Sequence, residues 1–222
     1  MSRPICLPAR RFVGRVQQLA GDSRPSAIVK HEVFDALAFD ANGCAGDEQA
    51  DRRVHGGVDK AVHVYPADHF PILAARFPEA AERLVAGSIG ENLSLAGIDE
   101  HDVHLGDVFA LGAVRLEVCQ PRQPCWKIDA RYGVDGLTAH IAESGRTGWY
   151  CRVVAGGIAQ PQDRFERVHH AAAAPTLASL WSTWRAHRPD LATLETLAAC
   201  PALSVNWRQK IAERLDWLAR QT

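Results

Sequence analysis

Eight consecutive residues combine a cysteine, two cations and two prolines in an order that suits chemistry at a sulfur atom. They read Gln120-Pro121-Arg122-Gln123-Pro124-Cys125-Trp126-Lys127. Each proline fixes its own φ and disfavours helical geometry in the residue before it, so the backbone leading to Cys125 has few conformations. The nearby cations Arg122 and Lys127 favour a thiolate, the form that attacks electrophiles and binds soft metals. On these residues alone, a buried structural cysteine remains the better interpretation, because free cysteines usually behave as small hydrophobic residues.

A second stretch, Gly46 to Lys60, has the residue types of an anion-binding loop. Its end reads His55-Gly56-Gly57-Val58-Asp59-Lys60. Paired glycines allow positive φ and close backbone approach, and successive N–H groups in such turns can bind an anion. A glycine turn beside a solvent-exposed charged segment explains the same sequence. For His55 we predict a hydrogen-bonding or protonating role, since a metal site shared with His63 has no carboxylate at a known spacing.

A third loop, Gly90-Glu91-Asn92, stands before a predicted strand and offers donors and acceptors through Asn92. Turn formation explains its glycine and asparagine equally well. The sequence has no nucleophile elbow of the G-x-S-x-G type, no phosphate loop and no dinucleotide fingerprint. It therefore gives no support to serine hydrolase or nucleotide-hydrolase chemistry.

These loops must be positioned by many short strands. The pattern predicts β structure at 12–16, 27–30, 34–39, 61–65, 93–95, 103–111, 114–118, 149–154 and 165–168. Two short helices are expected within 67–84, because Pro71 and Pro78 fit first turns better than helix interiors, and another is expected at 137–143. Many short strands with few helices between them indicate a mainly β fold, a barrel or a sandwich.

The composition changes at the alanine-rich segment 171–175, which predicts a linker between a β domain at 1–170 and a helical unit at 175–222. Apolar residues at helical spacing predict three helices in this unit, with Ser204 as an N-cap. Its tryptophans fit core positions. Three roles are open to this appendage: shielding a pocket, forming a homodimer or recruiting a partner.

Composition restricts the class of protein. The chain has 222 residues, 47% of them hydrophobic and 23% charged, with a formal net charge of -1, so no global charge favours nucleic acid or a membrane surface. The six cysteines include no CxxC pair, and no segment has the pattern of a signal peptide or the length of a membrane span. We therefore expect a cytoplasmic protein with reduced cysteines.

The motifs, taken in order, resemble one family. Gly46-Asp47 with its following residues, His55 to Ala61, Gly90 to Leu93, Gly106-Asp107 and Gln120 to Cys125 are similar to the motifs of the MOSC domain, the module shared with the C-terminal part of molybdenum cofactor sulfurases. Their order, followed by three helices, is most similar to bacterial stand-alone members of the YiiM type. The familiar Gly-Leu-Glu-Gly-Asp form is replaced here by Gly43-Cys44-Ala45-Gly46-Asp47.

The resemblance implies a MOSC-type β-barrel with peripheral short helices, and a positively charged cavity that binds the molybdenum cofactor (molybdopterin). It implies that Cys125 is a catalytic residue and molybdenum ligand, that His55 or a neighbouring acid supplies a proton, and that other residues hold cofactor or substrate. These other residues are Lys30, Gly56, Gly57, Lys60, Asn92 and Arg122.

Two functions follow from the resemblance. The first is an oxidoreductase that reduces N-hydroxylated compounds such as hydroxylaminopurines to amines, a detoxification of base analogues. It needs a separate electron-donating reductase, because the chain has no flavin or iron–sulfur ligand pattern. The alternative is a carrier that holds sulfur or cofactor through a persulfide on Cys125, without turnover. A third interpretation is a basic cavity that binds another anion and no metal.

Overall fold

The structure of the protein is a computed structural model that describes residues 4–19, 24–50 and 56–220. Its strands have between two and eight residues, as the frequent turn signals predict. They are β1 (Cys6–Pro8), β2 (Arg10–Val13), β3 (Gln17–Gln18), β4 (Pro25–Ser26), β5 (His31–Glu32), β6 (Leu37–Asp40), β7 (Gly43–Cys44), β8 (Val62–Pro66), β9 (Leu93–Leu95), β10 (Val108–Leu111), β11 (Val114–Pro121), β12 (Trp149–Ala155), β13 (Gly157–Ala159) and β14 (Arg164–His169).

Nine of these strands form one mixed sheet in the order β1-β14-β10-β11-β12-β8-β9-β2-β5. Its pairs are antiparallel except β8 with β9, which run parallel. Two smaller sheets join β13, β6 and β7, and β3 and β4. The longest strand, β11, alternates buried and partly buried residues over its first half and then becomes fully buried, so its end leads the chain into the interior.

Helices connect and cover the sheet. They are α1 (His69–Arg76), α2 (Lys127–Tyr132), α3 (Leu137–Ser144), α4 (Leu177–Arg185), α5 (Leu191–Ala199) and α6 (Val205–Ala219), with 3₁₀ turns at Val58–Lys60 and Pro78–Arg83. Each helix of the C-terminal unit begins at a side chain that caps its N-terminus: Thr176, Asp190 and Ser204. In the part of the chain that the structure describes, no helix is both long and apolar enough to cross a membrane.

One hydrophobic cluster extends from the sheet into the helical unit. It includes Leu116 and Trp149 from the sheet together with Trp181, Leu194 and Trp207 from the helices, all with 6% or less of their surface exposed. The division into residues 1–170 and 175–222 stays a prediction, since apolar residues from both sides of the linker share this cluster.

The sheet-rich fold and the three C-terminal helices are confirmed, and several predicted boundaries are wrong. The predicted strand 27–30 is not a strand; there the Ile28 carbonyl accepts from Arg131 Nη1 at 3.1 Å instead of joining a ladder. The predicted strand 103–111 begins only at Val108, because Gly106 has a φ of 84° and turns the chain. The helix α2, which follows Cys125 directly, was not predicted.

A closed barrel is not seen in the pairing of the described strands. The order of the nine-stranded sheet ends at β1 on one side and β5 on the other, and β6, β7 and β13 pair separately. Short strands with shifts of register, such as those between Val118 and Gln120 in β11, explain why the pairing is divided among several sheets.

Candidate functional site

A cleft lies where the end of β11 meets the loops before β5, β8 and β9. It encloses about 570 Å³ of space, including open solvent at its mouth. Five of the residues expected from the sequence to form a site line it together, although they are far apart along the chain: Lys30, Lys60, Asn92, Arg122 and Cys125. Residues that sequence reasoning did not assign also line it, among them Asp47, His63 and Tyr150.

The stiff octet carries Cys125 into this cleft. Backbone pairing of β11 with β12 continues to Pro121 opposite Trp149, and the Arg122 N–H then donates to the Gly148 carbonyl at 3.0 Å. The Cys125 carbonyl accepts from Ile128 N at 3.0 Å and from Thr138 Oγ1 at 3.1 Å, so the start of α2 and the side of α3 both hold it. The Cys125 side chain is partly exposed, unlike Cys44, Cys119, Cys151 and Cys200.

A buried ion pair forms one wall. Lys30 Nζ contacts Asp47 Oδ1, and both side chains are at most 5% exposed. The Asp47 carboxylate also accepts from Gly14 N at 2.7 Å and from Asn92 Nδ2 at 2.9 Å. Each oxygen of the Asp47 carboxylate therefore accepts a hydrogen bond. These bonds help to offset the desolvation free energy of the buried ion pair.

Asn92 is placed at the cleft, but its amide makes hydrogen bonds within the protein. Its Oδ1 accepts from the His63 N–H at 3.0 Å, and its Nδ2 donates to Phe12 O at 3.3 Å as well as to Asp47. The geometry therefore shows a residue that joins β2, β8 and the Asp47 loop. The neighbouring Glu91 has a similar task, accepting from Gly87 N at 2.5 Å and Ile89 N at 3.0 Å. Burial raises the pKa of Glu91, and these N–H groups oppose the rise.

The glycine motif positions Lys60. Gly57 has a φ of 94° and precedes the 3₁₀ turn, in which Lys60 N donates to Gly57 O at 2.9 Å. A side chain fits poorly at such a φ, so glycine is required by the turn. The residues that line the cleft do not include Gly56 or Gly57. The predicted catalytic residue His55 lies outside the described residues.

The inner end of the cleft holds Arg122, His63 and Tyr150. Arg122 is 5% exposed; its Nη2 donates to Ile89 O at 3.5 Å, its guanidinium also hydrogen-bonds to the Tyr150 side chain, and its buried Nη1 has no hydrogen-bond partner among the described residues. His63 Nε2 is also buried, with no hydrogen-bond partner in the part of the chain that the structure describes, and the centroids of the His63 and Tyr150 rings are 5.1 Å apart. Burial lowers the pKa of His63 well below its usual range, and Arg122 lowers it further.

Burial also raises the pKa of Tyr150, an effect that the Arg122 guanidinium opposes, so this phenol is a neutral hydroxyl at pH 7. The inner end therefore offers a fixed positive charge, a neutral imidazole and a neutral hydroxyl to a bound molecule.

The charge of the lining is positive. Among the described residues that line the cleft, the lysine and arginine residues are Lys30, Lys60, Arg122 and Lys127, and the carboxylates are Asp47 and Glu48. Burial lowers the pKa of Lys60, and the charge of Lys210 from α6 lowers it further. Among the described residues, no three His, Cys, Asp or Glu side chains are grouped to hold a metal ion. The donor set suits an anion with one soft ligand nearby, Cys125.

The Gly106-Asp107 motif lies elsewhere in the fold. The buried Asp107 carboxylate accepts from Ala171 N at 2.8 Å and His104 N at 3.1 Å, and contacts His170 Nδ1 at 2.9 Å. It therefore fixes the linker to the sheet and is remote from the cleft chemistry.

Two family models match the chain: "MOSC domain" over residues 51–166 and "YiiM-like, 3-alpha helix domain" over residues 186–216. Protein YiiM of Escherichia coli K12 is 34% identical over 211 residues, covering 93% of this chain and 92% of that protein. A protein named "Reductase" of Gibberella moniliformis is 36% identical over 146 residues, which are 65% of this chain and 26% of that protein.

Solved structures agree with these relatives. The crystal structure of E. coli YiiM superposes with a TM-score of 0.80 at 28% identity, covering 96% of this chain and 93% of that one. YiiM from Geobacillus stearothermophilus gives 0.79 at 29% identity, covering 95% and 100%. The chain is therefore a member of the MOSC-domain family, with a C-terminal three-helix unit of the YiiM-like kind.

Proposed function

We propose that the protein binds the molybdenum cofactor in this cleft and reduces a small N-hydroxylated compound, such as a hydroxylaminopurine, to the amine. The observation that carries the proposal is the position of Cys125, partly exposed in a cleft that is lined, within the described part of the chain, by four cations and two carboxylates. Family membership and the reductase name of the Gibberella relative support a reductase of this class.

The residues present fit such a cofactor. A pterin-linked phosphate needs charged donors, which Lys60, Lys127 and Arg122 offer at the cleft. The buried Nη1 of Arg122 is a donor without an acceptor among the described residues, a costly state that a bound anion would relieve. Cys125 would provide the soft sulfur ligand. Bound molybdenum would supply the two-electron redox chemistry that the side chains lack.

The side chains have separate tasks in the overall reaction, in which an N-hydroxyl compound, two electrons and two protons give an amine and water. The Tyr150 hydroxyl, held neutral by burial, can donate a hydrogen bond to the substrate oxygen. Lys30 forms a buried ion pair with Asp47, which fixes the side chain at the wall of the cleft. The predicted proton donor His55 lies outside the described residues; in the sequence it follows Ala50, which lines the cleft.

Electrons must come from another protein in this proposal. The Gibberella reductase matches this chain over only 26% of its length, so most of that protein has no counterpart here. We infer that a separate reductase supplies the electrons.

Elemental analysis and a turnover assay test the function together. We expect protein from a cofactor-competent host to contain molybdenum and to reduce a hydroxylaminopurine with an artificial electron donor. Cys125→Ser should lose both properties, whereas Cys6→Ser, at an exposed cysteine outside the cleft, should keep both. A persulfide on Cys125 without reductase activity would favour the carrier function. If the protein contains no molybdenum and shows no turnover, the result would favour the third interpretation, in which the cleft binds another anion and no metal.

A further inference from the structure

The chain has only four lysines among its 25 lysine and arginine residues: Lys30, Lys60, Lys127 and Lys210. The first three line the cleft. The fourth belongs to the C-terminal helical unit, 83 positions beyond Lys127 in the sequence. Its location in the fold shows what that unit contributes to the site.

Lys210 extends from α6 to the octet that carries Cys125. Its Nζ donates to Gln123 Oε1 at 2.8 Å, and Gln123 stands between Arg122 and Cys125 in the sequence. The ammonium is close enough to the cleft for its charge to lower the pKa of Lys60, after the larger effect of burial. The Lys210 Nζ also lies over the ring of the buried Trp207, 5.7 Å from the ring centroid.

The position of α6 against the octet is fixed by buried contacts. Ser204 Oγ donates to Gln120 Oε1 at 2.5 Å, and the Ser204 N–H donates to Cys119 O at 3.0 Å. Both Ser204 and Gln120 are at most 2% exposed. Lys210 lies less than two turns beyond Ser204 on the same helix, so these contacts limit where its ammonium can move.

We propose that the helical unit is part of the binding site, and that Lys210 is a binding residue at the cleft mouth that attracts an anionic group of the ligand. The inference deepens the anion-binding half of the proposed function and rests on it, but does not depend on reduction. It gives the three-helix unit a direct role in binding.

Alkylation of Cys125 measures this charge without any cofactor. Iodoacetate and iodoacetamide react with the same thiolate, but only iodoacetate is an anion. The ratio of their rates at Cys125, followed by mass spectrometry of the peptides, therefore reports the local potential. The exposed Cys6 reports any general change in the same sample.

We expect Lys210→Met to lower the iodoacetate to iodoacetamide ratio at Cys125 about twofold at ~0.01 M salt, where the Debye length is about 30 Å; this is the size expected for one charge ~8–10 Å away in a water-like dielectric. The difference should vanish at ~1 M salt, where the Debye length is about 3 Å. The ratio at Cys6 should not change. Lys60→Met should lower the Cys125 ratio as well.

Arg208→Met is the matched control, because it removes one positive charge from the same helix about 200° around its axis. An unchanged Cys125 ratio in Lys210→Met, with a lowered one in Lys60→Met, would overturn the role of Lys210 while leaving an anion-attracting cleft. An equal fall in Arg208→Met would also overturn it, since the effect would then be general. A ratio unaffected by every variant, Lys60→Met included, would contradict the proposed anion site itself.

A second measurement tests the proposal if Cys125 reacts too slowly for the two alkylation rates to be compared. Pyrophosphate, titrated into the same proteins, should raise the thermal unfolding temperature less in Lys210→Met than in Arg208→Met. At a given concentration, a ligand that binds with a higher Kd stabilises the folded state less. An equal rise in both variants would count against the proposal.

Discussion

At the scale of single residues, Asp47 makes several contacts in the site that its position in a charged segment of the sequence does not predict. It pairs with buried Lys30, accepts from Gly14 N and accepts from Asn92 Nδ2. The three partners come from three distant segments of the chain. Asp47 therefore supports the wall of the cleft, and its removal leaves a buried ammonium without a counter-charge.

We expect Asp47→Ala to lower the free energy of unfolding by about 3–5 kcal/mol, the usual cost of removing one partner of a buried ion pair. Urea denaturation followed by circular dichroism measures it. Glu82→Ala, at an exposed position, should stay within about 0.5 kcal/mol of the parent protein. A loss below about 1 kcal/mol for Asp47→Ala would show that water reaches Lys30 and replaces the carboxylate.

His63 predicts a pH dependence of stability. Burial and Arg122 lower the pKa of its imidazole in the folded protein, whereas the unfolded chain takes up the proton near pH 6.5. Below that pH the unfolded state binds more protons, so stability falls as the pH falls.

His63→Gln removes this contribution. Between pH 7.5 and 5.5 its unfolding free energy should fall by about 1.4 kcal/mol less than that of the parent protein. Urea titrations at the two pH values give the difference. His101→Gln, at an exposed histidine, is the control and should follow the parent. A His63→Gln variant with the same pH dependence as the parent would show that the imidazole is protonated in the folded state.

At the scale of elements, the contact between α6 and β11 connects the helical unit to the octet. Ser204 has two roles there, since its Oγ accepts from Trp207 N at 3.3 Å as the N-cap of α6 and also donates to Gln120. Its predicted role as an N-cap is confirmed, and the bond to Gln120 is a finding of the structure. Loss of this side chain therefore affects both the helix and the strand.

We expect Ser204→Ala to cost about 2–3 kcal/mol of unfolding free energy, since it removes a cap and leaves a buried amide oxygen without a donor. Thr176→Ala, which removes only the cap of α4, should cost about 1 kcal/mol. Gln120→Met should remove the same bond while leaving the cap. Additive effects of Ser204→Ala and Gln120→Met in the double variant would contradict a direct coupling between them.

At the scale of the whole molecule, the sheet and the helical unit share one hydrophobic cluster. Trp181 and Trp207 of the helical unit belong to this cluster, whereas Trp217 is 52% exposed and does not fit its predicted core position. The helical unit therefore has no hydrophobic core separate from that of the sheet. We therefore expect one cooperative transition for the whole chain, although the linker composition alone predicts two domains.

Two probes test this expectation. Tryptophan fluorescence reports mainly the helical unit, which has four of the six tryptophans, and thiol labelling of the buried Cys151 reports the interior of the sheet. Their midpoints in urea should coincide. A fluorescence transition clearly below the exposure of Cys151 would show that the helices unfold first and would support two domains.

The sequence by itself determined the local features. Residues Leu93–Leu95, the start of α3 at Leu137 and the three C-terminal helices follow from spacing and capping, which act over a few residues. The rigidity of the octet and the turn at Gly57 are local as well. The order of the motifs predicted the family, and the family models confirm it.

Only the tertiary structure decided which side chains meet. The Asn92 amide, expected to bind a ligand, is used to join three segments, and Asp47 has the partners that make Lys30 rigid. Arg122, His63 and Tyr150 form the inner end of the cleft because β8 and β12 pair, and Lys210 approaches the octet because Ser204, the N-cap of α6, is bonded to Gln120 of β11. Such contacts join residues tens of positions apart. The burial of the His63 side chain, which lowers its pKa, depends on many such contacts together. Periodicity and turn chemistry act within a few residues and therefore cannot specify them.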